Sequence, residues 1–129
     1  MITKRKSSQP GFVRIGFELP AYLWADRVYV VGDFNDWDRQ RTPLQQDRDG
    51  VWRVEVDLPS GQRFQFRYYV DNHWLTDNHA DGMTDNPYGT QNSIVETDLP
   101  VTELKLHRVA LPSLATFRQL KESNLFSMD

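Results

Sequence analysis

Hydrophobic side chains recur at every second residue through much of this sequence, and that period constrains the fold before anything else does. Over Phe12–Leu19, the residues Val13, Ile15, Phe17 and Leu19 share one face, while Arg14 and Glu18 share the other. Across 51–58, Trp52, Val54, Val56 and Leu58 alternate with Arg53, Glu55 and Asp57; across 63–70, Phe64, Phe66, Tyr68 and Val70 alternate with Arg63, Gln65, Arg67 and Tyr69. An extended strand turns successive side chains to opposite faces, so each segment reads as a strand with one buried and one wet face. Residues 27–31, rich in Val and Tyr, and residues 92–96 read as further strands, with 101–106 as a last one. Turn residues separate them: Pro20, the 32–38 stretch with its Gly, Asn and Asp, Asp47-Arg48-Asp49-Gly50, Pro59-Ser60-Gly61 and Asp71-Asn72-His73. The short Pro59-Ser60-Gly61 interval predicts a hairpin between its flanking strands. Residues 76–91 read as a long irregular loop, of a length that usually signals function or disorder. Short strands, frequent turns and no internal helical period predict an all-β antiparallel sandwich.

The ends differ from this pattern. Residues 1–11 are polar and read as a mobile leader, so the folded unit is expected over 12–97. Residues 98–129 form a C-terminal extension in which Leu114, Phe117 and Leu120 stand at helical spacing behind Ser113. That predicts a short helix over 113–122, which needs this domain or a protein partner to cover its apolar stripe.

Charge and composition narrow the function. A chain of 129 residues fits one domain, and the absence of cysteine leaves it without disulfides. The net charge of −3, with both signs mixed, argues against nucleic acid, which calls for a clustered basic face. Lys4, Arg5 and Lys6 make one short basic run, read as solvated; no apolar segment follows it to form a signal peptide or a membrane span. A cytoplasmic location without membrane partners is the expectation.

Few residue patterns here support reaction chemistry. Asp77, His79, Asp81 and Gly82 echo the start of a calcium loop, but Tyr88 stands where the closing bidentate Glu belongs. His73, His79 and His107 lack paired metal-ligand spacing. The chain is about half as long as the roughly 250-residue barrel that commonly carries glucan cleavage. No nucleophile elbow or phosphate-binding glycine loop appears, and no metal or cofactor is expected. Sugar binding fits better. A glucose ring has apolar C–H faces and a hydroxyl rim, so it suits exposed aromatic planes flanked by amides and cations. Trp37 and Trp74 lie in or beside polar turns, off the core register; Arg67 is on the wet face of its strand, and Tyr88, Thr90 and Asn92 end the long loop. Each loop-borne tryptophan has two readings, a sugar platform or a lid folded onto the core.

Three ordered motifs carry a resemblance: Val28-Tyr-Val-Val-Gly-Asp-Phe-Asn-Asp-Trp37, Phe64-Gln-Phe-Arg-Tyr-Tyr-Val-Asp-Asn-His-Trp74 and Asn86-Pro-Tyr-Gly-Thr-Gln-Asn-Ser-Ile-Val95. Together, over about residues 12–97, they resemble the glycogen-binding domain of the AMP-activated protein kinase beta subunit, and more broadly carbohydrate-binding module family 48 and the isoamylase early-set domains. The resemblance implies an immunoglobulin-like, early-set β-sandwich that binds α-1,4-linked glucans such as glycogen or starch and is not an enzyme. It implies that Trp37 and Trp74 flank the sugar chain. It places Arg67 where the family has a lysine, with Tyr88, Thr90 and Asn92 in the last loop. Ser93 replaces a second Asn, and the 76–88 loop runs about one residue longer. The competing expectation is a protein-interaction or regulatory module with a vestigial sugar site, motivated by the 98–129 extension.

Overall fold

The computed structural model describes residues 1–98. The strand expected at 101–106, the helix expected at 113–122 and all but the first residue of the 98–129 extension lie outside the described residues.

Among the described residues, nine strands form two antiparallel sheets. The first sheet has the order β1 (Ile2–Lys6), β2 (Phe12–Leu19), β5 (Trp52–Pro59), β4 (Gln45–Gln46). The second has the order β3 (Val28–Gly32), β6 (Arg63–Val70), β9 (Gln91–Glu96), β8 (Gly82–Asp85), and β7 (His73–Leu75) pairs with β6. Val13, Ile15, Phe17, Leu19, Trp52 and Leu58 from the first sheet meet Val28, Val30, Phe66, Tyr68 and Val95 from the second in one buried cluster. Phe66 lies edge-on to both Phe17 and Tyr68, with ring centroids 5.0 and 5.6 Å apart. This is the two-layer immunoglobulin-like architecture that the alternating pattern predicts.

Three expectations need correction. The leader is no loose tail over its first residues. Ile2 to Lys6 pair with Phe17 to Val13 as β1, and Ile2 packs against the core. Gly16 leaves room for the Thr3 side chain across from it, because a Cβ there would lie 2.3 Å from the Thr3 hydroxyl. An edge strand buries little, so Thr3, Lys4, Arg5 and Lys6 leave no apolar alternation to read. The hairpin across Pro59-Ser60-Gly61 is also absent. β5 belongs to the first sheet and β6 to the second, so this link crosses between layers. Buried Thr97 pins the crossing: its hydroxyl donates to the Pro59 carbonyl at 2.6 Å and accepts the Gln62 N–H at 2.9 Å. Gly61, at φ +73°, takes the left-handed turn. Finally, the 76–91 loop contains β8, which continues the second sheet beyond β9.

Candidate functional site

β6 is the hinge between core and site. Phe64, Phe66 and Tyr68 turn inward, so Gln65, Arg67 and Tyr69 must face outward from the second sheet. The register carries this outer face sideways, pairing Gln65 with Ile94, Val31 with Arg67, Tyr29 with Tyr69, and Tyr69 with Trp74. Asn92, two residues before Ile94, lies on the same face.

Trp37 is delivered by a strained loop. After β3 the chain forms a short 3-10 turn over Asp33–Asn35, then Asp36 and Trp37 adopt left-handed φ values of 57° and 55°. Two consecutive non-glycine residues in that region cost of order 1–3 kcal/mol each and persist only where the surroundings impose them. Asn35 imposes them here. It is buried, accepts the Gly32 N–H at 2.9 Å, and donates to the Val30 carbonyl and the Thr42 hydroxyl, both at 2.9 Å. Asp33 fixes the indole by accepting its N–H at 3.0 Å, while its second oxygen accepts the Gln65 N–H at 2.7 Å. Trp37 is thereby tied to the strand bearing Arg67 and sits half-buried.

Trp74 arrives by a tighter route. Val70 pairs with His73, leaving a two-residue turn in which Asp71 and Asn72 have φ values of 46° and 69°. Two positive φ values match the twist of a hairpin, and Asn and Asp tolerate them. The turn sets Trp74 beside Tyr69, with ring centroids 4.8 Å apart, and leaves it 41% exposed. Arg67 lies 5.7 Å from the Trp74 ring centroid, within cation–π range. One of its terminal nitrogens donates to the Thr90 hydroxyl at 3.3 Å, but its Nε is buried without a partner among the described residues. Burial holds this guanidinium's pKa below the ordinary arginine value.

Asn86 organises the third wall. Its side-chain oxygen accepts the backbone N–H groups of Tyr88 and Thr90 at 3.0 and 3.2 Å; its amide donates to the Thr90 hydroxyl at 2.8 Å and to Asn92 at 3.0 Å. The Asn92 amide in turn donates to Gln65 at 3.0 Å. Tyr88 stands at the tip of this loop, 88% exposed.

The structure brings all six predicted site residues, Trp37, Arg67, Trp74, Tyr88, Thr90 and Asn92, to one open groove of about 870 Å³. Asp33, Arg39, Gln65, Asn86 and Pro87 also line it and were not predicted. Gln65 was within reach, because it shares the wet face of β6 with Arg67; Asn86 opens the turn-rich Asn-Pro-Tyr-Gly stretch, where a side chain bonding to the following N–H groups is common. Two further strongly exposed aromatics, Trp24 and Tyr22 at 95% and 82%, lie on the β2–β3 link and do not line the groove. Among the described residues no cluster of His, Asp or Glu converges as metal ligands, and no helix is long and apolar enough to cross a membrane. The groove offers flat apolar faces beside mixed donors and acceptors, suited to a ligand with C–H faces and a hydroxyl rim.

Fold and groove together define a β-sandwich recognition module. The family described as the glycogen recognition site of AMP-activated protein kinase matches residues 23–102, more than half of the chain, and the chain belongs to that family. Its curated relatives include the 1,4-alpha-glucan branching enzyme GlgB of Nitrosomonas eutropha, 31% identical over 63% of this chain and 11% of that protein. GlgB of Lactobacillus acidophilus is 46% identical over 33% of this chain and 7% of that protein. The chain therefore corresponds to about a tenth or less of these relatives' length. Among solved structures, the enterobactin esterase FES from Shigella flexneri superposes with a TM-score of 0.60 at 12% identity, covering 74% of this chain and 32% of that one, which is a likeness of fold alone.

Proposed function

We propose that this chain binds α-1,4-linked glucans of the glycogen or starch kind, in the cytoplasm and without catalysing a reaction on them. The observation that carries the reading is the convergence of Trp37, Trp74 and Tyr88 with Arg67, Thr90 and Asn92 on one open groove of the family's recognition domain. The aromatic planes would cover sugar C–H faces, and Arg67 and Asn92 would bond hydroxyls. The groove's chemistry also speaks against cleavage. Glycoside hydrolysis uses a pair of carboxylates across the sugar. Asp33 is the one carboxylate in the groove lining among the described residues, and it already accepts bonds from the Trp37 indole and the Gln65 N–H.

Retention of the pure protein on insoluble starch is the direct test, and passage straight through the resin would sink the reading in favour of a protein-interaction module. A shallow open site excludes little water, so the expected dissociation constant lies between about micromolar and millimolar, or about −8 to −4 kcal/mol. Calorimetry should show malto-oligosaccharides binding more tightly than cello-oligosaccharides; equal or tighter binding of the latter would reject the preference for α-linkage.

A further inference from the structure

The groove does not end at Trp74. Tyr69 packs against the Trp74 ring and also carries the Arg39 guanidinium 5.5 Å from its own ring centroid. Arg39 lines the groove, and both Arg39 and Tyr69 line a second hollow of about 410 Å³ on the same outer face of the second sheet. Trp74 lines the groove, Tyr69 lines the second hollow and Arg39 lines both, so the Arg39–Tyr69–Trp74 stack is the ridge between them.

The second hollow has its own chemistry. Its lining includes the cross-strand pair Tyr29 and Tyr69 together with Gln40 and Asn72. Among the described residues, no protein group hydrogen-bonds the hydroxyls of these two tyrosines or the side-chain amides of Gln40 and Asn72. The Tyr29 ring, the two tyrosine hydroxyls and the two amides therefore line one space with their bonding capacity unused, while the Tyr69 ring is taken up by Trp74 and Arg39. Its charged lining is balanced, Asp26 and Asp71 against Arg27 and Arg39, which favours neither an anion nor a cation. Its frame is fixed, because the Asp71 carboxylate accepts the backbone N–H of Asp26 at 3.1 Å and of Arg27 at 2.9 Å. A neutral ligand rich in hydroxyls, with an apolar face for the Tyr29 ring, meets these conditions.

We infer that the hollow lined by Tyr29 and Tyr69 is a second subsite for the same glucan chain, reached across the Arg39–Tyr69–Trp74 ridge. The inference rests on the glucan-binding reading of the first groove. It makes the module a reader of chain length. A short oligosaccharide fills the groove alone, and a longer one gains contacts with the Gln40 and Asn72 amides and the Tyr29 ring.

The test pairs maltotriose and maltoheptaose in calorimetry on the wild-type protein and on the double variant Gln40→Ala, Asn72→Gly. Gln40 is exposed, and glycine accepts the left-handed backbone at position 72, so the fold should survive; an unchanged melting midpoint checks this. The expected result is that maltotriose affinity is the same in both proteins, while the variant loses maltoheptaose affinity about threefold or more, in line with two lost hydrogen bonds. Tyr29→Phe, which keeps the ring, should lower maltoheptaose affinity in the same selective way. If both sugars bind but the ratio of their affinities is the same in all three proteins, the second subsite is overturned and the first groove stands. If neither sugar binds the wild-type protein, the glucan-binding reading falls and takes this inference with it.

Discussion

The outer face of the first sheet and the groove region of the second sheet's outer face are built from similar residues and end in opposite states, although Arg63 at the far end of β6 does meet Glu96. On the first sheet, each outward arginine of β1, β2 and β5 finds a carboxylate. Arg5 meets Glu55 at 2.8 Å, Arg14 grips Asp57 with two bonds at 2.9 and 3.1 Å, and Arg53 is shared among Glu18, Asp47 and Asp49. These are cross-strand neighbours, Arg14 with Asp57 and Glu18 with Arg53, so the sheet satisfies itself. On the second sheet, among the described residues, Arg67 has a threonine hydroxyl and a tryptophan ring instead of a carboxylate, and its Nε is unpartnered. A face that pairs its own charges has little left for a ligand. A face that leaves aromatic planes and donors unspent costs stability and is what a binding surface requires.

The largest expected effect lies in the layer both faces share. Trp52 is buried and donates its indole N–H to the Leu23 carbonyl at 3.4 Å. Trp52→Ala should cost about 3–5 kcal/mol, read from urea unfolding. Asn35→Ala comes next. It strands the buried Gly32 N–H and frees the strained Asp36–Trp37 turn, for a loss of about 1–3 kcal/mol of stability. It should also weaken starch retention, because Asn35 fixes the loop that delivers Trp37. Normal retention by this variant would mean that the loop holds Trp37 without it.

The groove tryptophans should reverse that order. Trp37→Ala and Trp74→Ala are each expected to weaken glucan binding by about 1–3 kcal/mol, by analogy with bases stacking on aromatic side chains. Their melting midpoints should stay well above that of Trp52→Ala. The lid reading makes the opposite forecast, a large stability loss with binding lost only through unfolding. A variant of Trp37 or Trp74 that melts as early as Trp52→Ala would therefore remove that residue from the site.

What the sequence shows of all this follows from what each feature depends on. The strands β2, β5 and β6 are legible because half-burial writes itself into alternate residues. Trp37 and Trp74 stand out because they break that alternation beside turns, and the motif resemblance supplies Arg67, Tyr88, Thr90 and Asn92. β1 is hidden because its half-buried residues are Ile2 and Lys4, so a lysine stands where an apolar residue would have marked the alternation. The false hairpin at Pro59-Ser60-Gly61 shows the limit of loop length as evidence, since the same short link joins two strands of one sheet or of two. The contrast between the outer faces is least legible. Arg14 and Arg67 occupy equivalent places in their strands' alternation, and only the register, Asp57 across from one and Val31 across from the other, decides which is neutralised.

The smallest expected effect tests whether the paired face is as separate from binding as it looks. Asp57 has its pKa held below the ordinary carboxylate value of 3.8, first by the hydrogen bonds from Arg14 and then by that residue's charge; Asp49 is lowered too, first by the Val51 N–H and then by Arg53. A carboxylate with a depressed folded pKa contributes stability that is present above its unfolded pKa and is lost as pH falls through the folded one. The contribution of this face should therefore be complete at neutral pH and fade only below about pH 4. Asp49 is exposed and Asp57 only half-buried, so solvent screens both pairs and the effect should be smaller than any above. In Asp57→Asn, the melting midpoint at neutral pH should fall slightly, and its further decline on acidification should be shallower than in the wild-type protein. Starch retention at neutral pH should not move, because nothing on the first sheet's outer face lines the groove. Retention that drops as far in Asp57→Asn as in Trp74→Ala would break the division between a self-satisfied face and a binding face.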